Sequence, residues 1–227
     1  MKEPKILIHA SPQRMEFVDT FLVPRLLKIG FKAEYVEVWE DKENKGCLTS
    51  YIESYEALPK TGDTWHLQDD VLPDRRFYKW ARNLMYYQGI VNGFGNKWYY
   101  NKAMFGDAHN QHEMFYSFPC IRIPNELCHK WLKWFETAKV EVPEISSRLS
   151  ENKYIDYFFK LFIGSNKDGI PIWNFEPCIV EHVDEYAGGS IVNYARQLPA
   201  KALSFQDDKA LEELEEWFKV HNKDYEV

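Results

Sequence analysis

The order strand, helix, strand at the start of the chain restricts the fold more than any other feature of the sequence. Residues 5–9 (Lys-Ile-Leu-Ile-His) form a short apolar run that is typical of a buried strand. Residues 33–38 alternate in polarity and predict a second strand. Between them, apolar side chains recur at helical spacing up to Gly30, and Pro24 is expected to kink this helix: Phe17, Phe21, Leu22, Leu26 and Ile29. Such a β-α-β unit predicts a parallel strand pair with a right-handed crossover.

The remaining segments continue this pattern, without an internal repeat. We predict helices over residues 48–58, 77–87, 154–162 and 207–219 and one from Asn125, strands over residues 64–68 and 115–123, a strand and a long loop over 89–111, and polar loops over 41–46 and 139–153. This layout predicts an α/β fold. In such folds a nucleotide binds at the carboxyl ends of the parallel strands.

Composition and charge exclude several classes of function. The chain has 227 residues and a formal net charge of -7, without a long basic run, which disfavours general nucleic-acid binding. No apolar stretch approaches the roughly 20 residues of a membrane span, and the first residues do not resemble a signal peptide. The 4 cysteines are far apart and lack zinc spacing. We therefore expect a cytoplasmic protein with reduced thiols.

Two adjacent acids, Asp69 and Asp70, follow the strand predicted over residues 64–68. Adjacent carboxylates repel each other unless a cation offsets their charge. Mg²⁺ and Mn²⁺ prefer oxygen ligands, and Mg²⁺ sites often combine one or two carboxylates with substrate phosphates. The pair therefore indicates a site for a divalent metal and a diphosphate. The alternative is a solvated turn in which one acid caps the following segment.

Three further residues are candidates for the same chemistry, each with a plainer alternative. Arg14, just after the first strand, is suited to a bound diphosphate or is a surface residue of a helix start. His182 follows the apolar run 178–180 and is a metal ligand or a structural histidine. Asp156 lies in an apolar helix, where burial would raise its pKa and suit it to act as a general base. Alternatively, it is an acid favoured by the helix dipole.

Common nucleotide and hydrolase motifs are missing from the sequence. It contains no Walker A loop, no complete GxGxxG, no GxSxG and no HExxH. These absences count against P-loop proteins, Rossmann dehydrogenases, α/β-hydrolases and zincins.

Three segments, taken in order, resemble the small bacterial and phage glycosyltransferases of the GT-A fold. They are residues 9–14 (HASPQR), 65–73 (WHLQDDVLP) and 177–182 (PCIVEH). They correspond to an S-P-x-R-like element after the first strand, a strand that ends in an acid pair related to the DxD motif, and a late P-x-L-V-x-H segment. The resemblance covers roughly residues 5–195. The chain departs from the family in having Gln68-Asp69-Asp70 instead of Asp-x-Asp.

This resemblance implies a three-layer sandwich around a mixed, mainly parallel sheet, with a GT-A-like domain over residues 1–205. A C-terminal amphipathic helix over residues 206–227 would pack on it. The implied cofactors are Mn²⁺ or Mg²⁺ and a nucleotide-sugar, most commonly UDP-linked. The acceptor would be a polysaccharide, a protein or a modified DNA base.

The resemblance also implies a role for each candidate residue. Asp70 and His182 would be metal ligands, Ser11, Arg14 and Asp69 would bind the donor, and Asp156 would be the catalytic base. The aromatic segment that contains Trp98, Tyr99, Tyr100 and Phe105 would form the acceptor wall. Two other functions remain open: a nucleotidyltransferase, although residues 9–16 lack the glycine-rich loop expected of one, and a non-catalytic binding module with a degenerate site.

Overall fold

A six-stranded mixed sheet lies at the centre of the computed structural model, which describes residues 2–94, 118–152, 155–166, 169–174, 178–183, 186–187 and 205–221. The strands in chain order are β1 (Lys5–Ala10), β2 (Val36–Glu40), β3 (Asp63–Gln68), β4 (Val71–Pro73), β5 (Ile90–Asn92), β6 (Cys120–Pro124), β7 (Ile172–Asn174) and β8 (Val180–His182). The main sheet has the order β2-β1-β3-β6-β5-β7, and β4 pairs separately with β8. Only β6 runs against the other strands of the main sheet. The predicted mixed, mainly parallel sheet is confirmed.

Helices cover both faces of this sheet. They are α1 (Met15–Phe17), α2 (Val23–Lys28), α3 (Cys47–Ala57), α4 (Phe77–Leu84), α5 (Asn125–Glu141), α6 (Pro143–Ser146), α7 (Ile155–Ser165) and α8 (Asp208–His221). Alternate residues of β1 enter different cores, as expected for a strand whose side chains point to opposite faces. Ile6 and Ile8 pack against α1, α2, α4 and α8, whereas Leu7 packs with α3, α5 and α7. The predicted three-layer arrangement is therefore confirmed.

The predicted parallel pair at the start of the chain is confirmed, but its second strand begins later than predicted. Ile6 pairs with Val36 and Ala10 with Glu40. Residues Ala33–Tyr35, predicted as part of the strand, form a 3₁₀ turn in which no side chain is buried. The alternating polarity of these residues therefore does not indicate a strand, because such a pattern indicates a strand only where one of its faces is buried.

The helix that follows β1 is irregular next to Pro24. A π-helical turn (Val18–Leu22) separates α1 from α2, and Pro24 lies in the first turn of α2. Proline has no N–H to donate and is tolerated best at such a position.

The polar loop predicted over residues 139–153 is wrong in its first half. α5 continues to Glu141, and α6 follows almost at once. Ile145 of α6 is fully buried in the core beside α5 and α7. One apolar anchor is enough to fix such a short helix through packing, although the surrounding composition is polar.

The C-terminal helix α8 packs on the core through its apolar face, as its amphipathic pattern predicts. Ala210 and Leu214 are buried in the core that contains α1 and α2. Buried Arg25 of α2 donates to Glu213 at 2.6 Å and lies 3.5 Å from buried Asp207. Within the described part of the chain, no helix is long and apolar enough to cross a membrane.

Candidate functional site

A cavity of about 310 Å³ opens where β1, β2 and β3 end. This is the edge of a parallel sheet at which α/β proteins bind ligands. Its wall is formed by residues at or just after the ends of these strands, by the first turns of α3 and by the end of β8: His9, Ala10, Ser11, Arg14, Asp41, Asn44, Gly46, Cys47, Ser50, Tyr51, Gln68, Asp69, Asp70 and His182.

Asp69 is held by the segment that follows β1. Its Oδ2 accepts hydrogen bonds from the Ser11 backbone N–H at 2.7 Å and from Ser11 Oγ at 2.9 Å. Its Oδ1 accepts from Arg14 Nη1 at 2.7 Å. Since β1 and β3 are paired in parallel, the residues after their carboxyl ends are brought together. Both oxygens of Asp69 are therefore occupied by protein donors, and the acid pair is not a solvated turn.

Asp70 contacts two of the other sequence candidates. Its Oδ2 accepts from Arg14 Nη1 and lies 3.2 Å from His182 Nε2. The strand pair β4–β8 brings His182 to this position, because Val71 pairs with His182 and the Val183 N–H donates to the Asp70 carbonyl at 2.8 Å. This short strand pair was not predicted from the sequence.

Burial and charge act differently on the two carboxyl groups. For Asp69, burial and the Asp70 charge raise the pKa and outweigh the opposing effects of Arg14 and Ser11. For Asp70, burial also opposes ionisation, but the charges and hydrogen bonds of His182 and Arg14 outweigh it and lower the pKa to about 2. Asp70 is therefore fully ionised at neutral pH.

The described wall of the cavity carries excess negative charge. Asp41, Asp69 and Asp70 face one arginine, Arg14, and His182 adds a positive charge only when protonated. Arg14 thus offsets part of the repulsion between the Asp69 and Asp70 carboxylates. From the sequence, a metal was expected to do this. A diphosphate is also anionic, so it would need a further cation to bind beside these carboxylates.

The described residues fit a cation that is shared with a ligand, and by themselves they do not form a complete metal site. Asp70 Oδ1 is buried and has no hydrogen-bond partner among the residues that the structure describes. A buried oxygen without a donor is costly unless something binds it. In the same part of the chain, no group of three or more His, Cys, Asp or Glu residues is arranged to hold a metal. Ligand phosphates and water would have to supply the remaining positions.

The polar loop after β2 forms another part of the wall, which the sequence did not identify as functional. Asp41 ends its turn by accepting from the backbone N–H groups of Lys45 and Gly46, both at 2.8 Å. Gly46 adopts φ 96° and ψ 161°, a conformation essentially restricted to glycine. A Cβ on Gly46 would lie 2.6 Å from Asn152 Nδ2, and Asn152 in turn caps the start of α3 through Thr49 at 3.0 Å.

We expect Gly46→Ala to lower the free energy of unfolding by about 2–4 kcal/mol, because backbone strain of about 1–3 kcal/mol adds to displacement of Asn152. Chemical denaturation measures this change. Gly169→Ala is the matched control, since Gly169 has φ 70° and a Cβ added there would have no neighbour within 4 Å. If the two variants lost the same free energy of unfolding, the contact with Asn152 would not contribute to the loss.

An uncharged aromatic wall lies next to these ionic groups. His9 stacks on Tyr51 with ring centroids 3.7 Å apart, and both side chains line the cavity. His9 Nε2 is 3.0 Å from Nδ1 of His66, one strand away. Neither His9 nor Tyr51 was predicted from the sequence to be functional. The signal for His9 and His66 was a histidine near the end of each of two adjacent parallel strands, on the same face of the sheet.

Asp156 is not part of this wall. Asp156 lies at the start of α7, where its Oδ1 accepts from the Tyr157 backbone N–H at 2.8 Å. Burial raises the pKa of Asp156. It does not line the cavity, although its charge contributes to the raised pKa of Cys47, which does. The predicted acceptor wall, with Trp98, Tyr99, Tyr100 and Phe105, and Pro177 of the late motif lie outside the described residues.

Comparison with known proteins gives a weak structural likeness. No protein-family model and no curated protein matches the sequence. Among solved structures, the chain is similar to the glycosyltransferase GlyE of Streptococcus pneumoniae, with 10% identity over 97% of this chain and a TM-score of 0.43. Its apo form gives 12% identity over 96% of this chain and a TM-score of 0.36. The chain spans 64% of the length of each of these two chains.

Proposed function

We propose that this protein is a metal-dependent glycosyltransferase that uses a nucleotide-sugar donor, with UDP-sugars as the first candidates. One observation carries the proposal. Ser11, Arg14, Asp69, Asp70 and His182, drawn from three separate sequence segments, meet on one wall of a cavity at the carboxyl ends of parallel strands. These are the segments in which the sequence resembles GT-A glycosyltransferases.

In this proposal, Asp70 and His182 hold the divalent cation together with the donor diphosphate. Asp70 Oδ1 is the oxygen available to the cation, since its Oδ2 already contacts Arg14 and His182. When bound, the cation would supply Lewis-acid stabilisation of the leaving diphosphate. Mn²⁺ suits this mixed oxygen and imidazole ligand set, and Mg²⁺ is the alternative.

The remaining residues position the two metal ligands. Arg14 holds both carboxylates and fixes their orientation. Ser11 holds Asp69 through its backbone and its hydroxyl, which ties the acid pair to the end of β1. Both oxygens of Asp69 accept hydrogen bonds from Ser11 and Arg14. Asp69 would therefore act on the nucleotide-sugar indirectly, through these two residues. The cluster is thus organised before any ligand enters, as electrostatic catalysis requires.

The step at the acceptor remains a prediction. Asp156 has the raised pKa expected of a general base, but it does not line the described wall. If it takes the proton of the acceptor hydroxyl, the sugar is transferred with inversion; without a base opposite the leaving group, retention is expected. The acceptor is proposed to be a polysaccharide, a protein or a modified DNA base, as the resemblance implies.

Thermal unfolding tests the proposal. It is measured with Mn²⁺ alone, with UDP, GDP or dTDP alone, and with each nucleotide together with Mn²⁺. Because the wall is negatively charged, we expect a nucleotide to raise the melting temperature only when Mn²⁺ is present. A ligand at 100 times its dissociation constant adds about 2.7 kcal/mol to stability. Asp70→Ala and His182→Ala should each remove most of this joint effect.

The controls replace the same residue types away from the cavity. Asp19 is exposed on the first helical stretch, and His129 bonds to the Leu58 carbonyl at 3.1 Å. Asp19→Ala and His129→Ala should retain the joint effect. If no nucleotide stabilises the protein with or without Mn²⁺, a donor-binding site is ruled out. If nucleotides bind equally well without metal, the assignment of Asp70 and His182 is wrong.

A further inference from the structure

Two residues beside the ionic cluster each contain a buried polar atom that is not hydrogen-bonded within the described part of the fold. His9 Nδ1 and the Tyr51 hydroxyl are inaccessible and have no hydrogen-bond partner among the described residues. His9 is 6% exposed and Tyr51 is 2% exposed, and both line the cavity. A buried polar group left without a partner costs about 1–3 kcal/mol. Because both residues line the cavity, a group of a bound ligand is the candidate partner for these atoms.

This part of the wall is uncharged, in contrast to the acid pair. Burial, and then the neighbouring His66, lower the pKa of His9 well below its usual value. Burial raises the pKa of Tyr51 well above its usual value. Both side chains are therefore neutral at pH 7, and neither provides a charge for a phosphate. They suit an uncharged group with hydrogen-bonding atoms, such as the base or the sugar of a nucleotide-sugar.

The protein also sets which nitrogen of His9 carries hydrogen. Burial lowers the pKa of His66 to about 3, so both rings are neutral. His9 Nε2 and His66 Nδ1 are 3.0 Å apart, and one must therefore donate and the other accept. His66 Nε2 in turn lies 4.0 Å from Cys128 Sγ. Burial raises the pKa of Cys128, so the thiol keeps its hydrogen.

The relative strength of the acceptors sets the direction of the hydrogen bonds that link Cys128, His66 and His9. An imidazole nitrogen is a stronger acceptor than a thiol sulfur, so the Cys128 S–H donates to His66 Nε2. His66 Nδ1–H then donates to His9 Nε2, and His9 carries its hydrogen on Nδ1. The hydrogen on Nδ1 remains for a ligand.

We propose that His9 is a specificity-determining residue whose Nδ1–H donates to an uncharged oxygen of the donor, and that His66 is the positioning residue which fixes this tautomer. This inference rests on the proposed function. The oxygen belongs either to the nucleoside, with its base and ribose, or to the transferred sugar, since both offer uncharged acceptors. Tyr51 supports the same group through its stacked ring and its hydroxyl.

Calorimetric titration with three ligands, each with Mn²⁺, tests the role of His9. Pyrophosphate has neither nucleoside nor transferred sugar, UDP has the nucleoside, and UDP-glucose has both. We expect His9→Phe, which keeps the ring stacked on Tyr51, to weaken UDP-glucose binding about three- to tenfold. Pyrophosphate binding should not change. Weaker UDP binding would place the contact at the nucleoside, that is at the base or its ribose, and unchanged UDP binding would place it at the transferred sugar. His129→Phe is the control and should bind all three ligands like the wild type.

Nitrogen NMR of the histidine rings tests the role of His66. In the wild type, the His9 signal should show hydrogen on Nδ1. His66→Phe removes the partner of His9 Nε2, so we expect the Nδ1–H tautomer to lose its preference and UDP-glucose binding to weaken, with pyrophosphate binding again unchanged. A structural role alone would not change the tautomer.

The outcomes that overturn this inference differ from those that overturn the proposed function. If wild-type protein binds none of the three ligands, the donor site itself is wrong. If it binds them and His9→Phe leaves the affinity for UDP-glucose unchanged, or weakens pyrophosphate equally, His9 does not determine specificity. A wild-type His9 with hydrogen on Nε2 would overturn the role of His66.

Discussion

Arg14→Leu is expected to lower the free energy of unfolding at pH 7 by about 3–5 kcal/mol, the usual cost of removing one partner from a buried ion pair. Arg14 is 5% exposed, and its guanidinium contacts both Asp69 and Asp70. Leucine fills part of the space but leaves two adjacent buried carboxylates without this counter-charge. Chemical denaturation of the two proteins measures the difference.

The loss should depend on pH in a defined direction. The wild-type pKa of Asp70 is about 2, below the ordinary value of about 3.9. Its ionised form therefore stabilises the wild type above the ordinary value, and this contribution is lost as the pH falls towards 2. Without Arg14 the carboxyl groups can protonate more easily. The difference between wild type and Arg14→Leu should accordingly shrink between pH 7 and pH 3.

Two comparisons separate this effect from a simple packing defect. Arg75→Leu replaces an arginine whose side chain is 61% exposed, and it should cost less than about 1 kcal/mol. Asp70→Asn should cost less in the Arg14→Leu background than in the wild type, because contacting residues are not additive. A loss that is independent of pH and additive with Asp70→Asn would show that Arg14 acts through packing alone.

Arg14 also shows how far the sequence could predict the site. The strand ends that carry Arg14 and the acid pair were predicted, because a β-α-β unit places the ends of parallel strands at one edge. The direct ion pair was not predicted, because side-chain contacts depend on register. Leu7 lies opposite His66 and His9 opposite Gln68, and this one register brings Ser11 and Arg14 to Asp69.

The contact with His182 was beyond local sequence patterns. β4 and β8 have three residues each, and β4 ends in Pro73, so neither shows a recognisable strand pattern. The resemblance to a family predicted that Asp70 and His182 act together; the strand pairing explains only why the two side chains lie close to each other. The Asp41–Gly46 segment was predicted as a loop. Its position on the cavity wall was not predicted, because local sequence patterns do not show which segments meet in space.

Asp70→Asn is expected to reduce the turnover of a UDP-sugar with Mn²⁺ by about a thousandfold, if the proposed function is right. Metal stabilisation of a leaving group is worth several kcal/mol, and each 1.4 kcal/mol changes the rate tenfold. Asparagine keeps the size of the side chain and removes its charge. Asp69 still faces Arg14 in this variant, so the fold should persist. Release of UDP from a panel of UDP-sugars, with and without added acceptors, measures the rate.

Asp69→Asn is the matched comparison, because it removes the neighbouring charge from the same buried pair. Both oxygens of Asp69 already accept from Ser11 and Arg14, whereas Asp70 Oδ1 has no partner within the described structure. We therefore expect Asp69→Asn to affect stability more than chemistry, with a rate loss of about tenfold. If the two variants lose activity equally, both carboxylates serve the cation. If Asp70→Asn remains fully active with Mn²⁺, the orphaned oxygen is not a metal ligand and the leaving diphosphate is stabilised elsewhere.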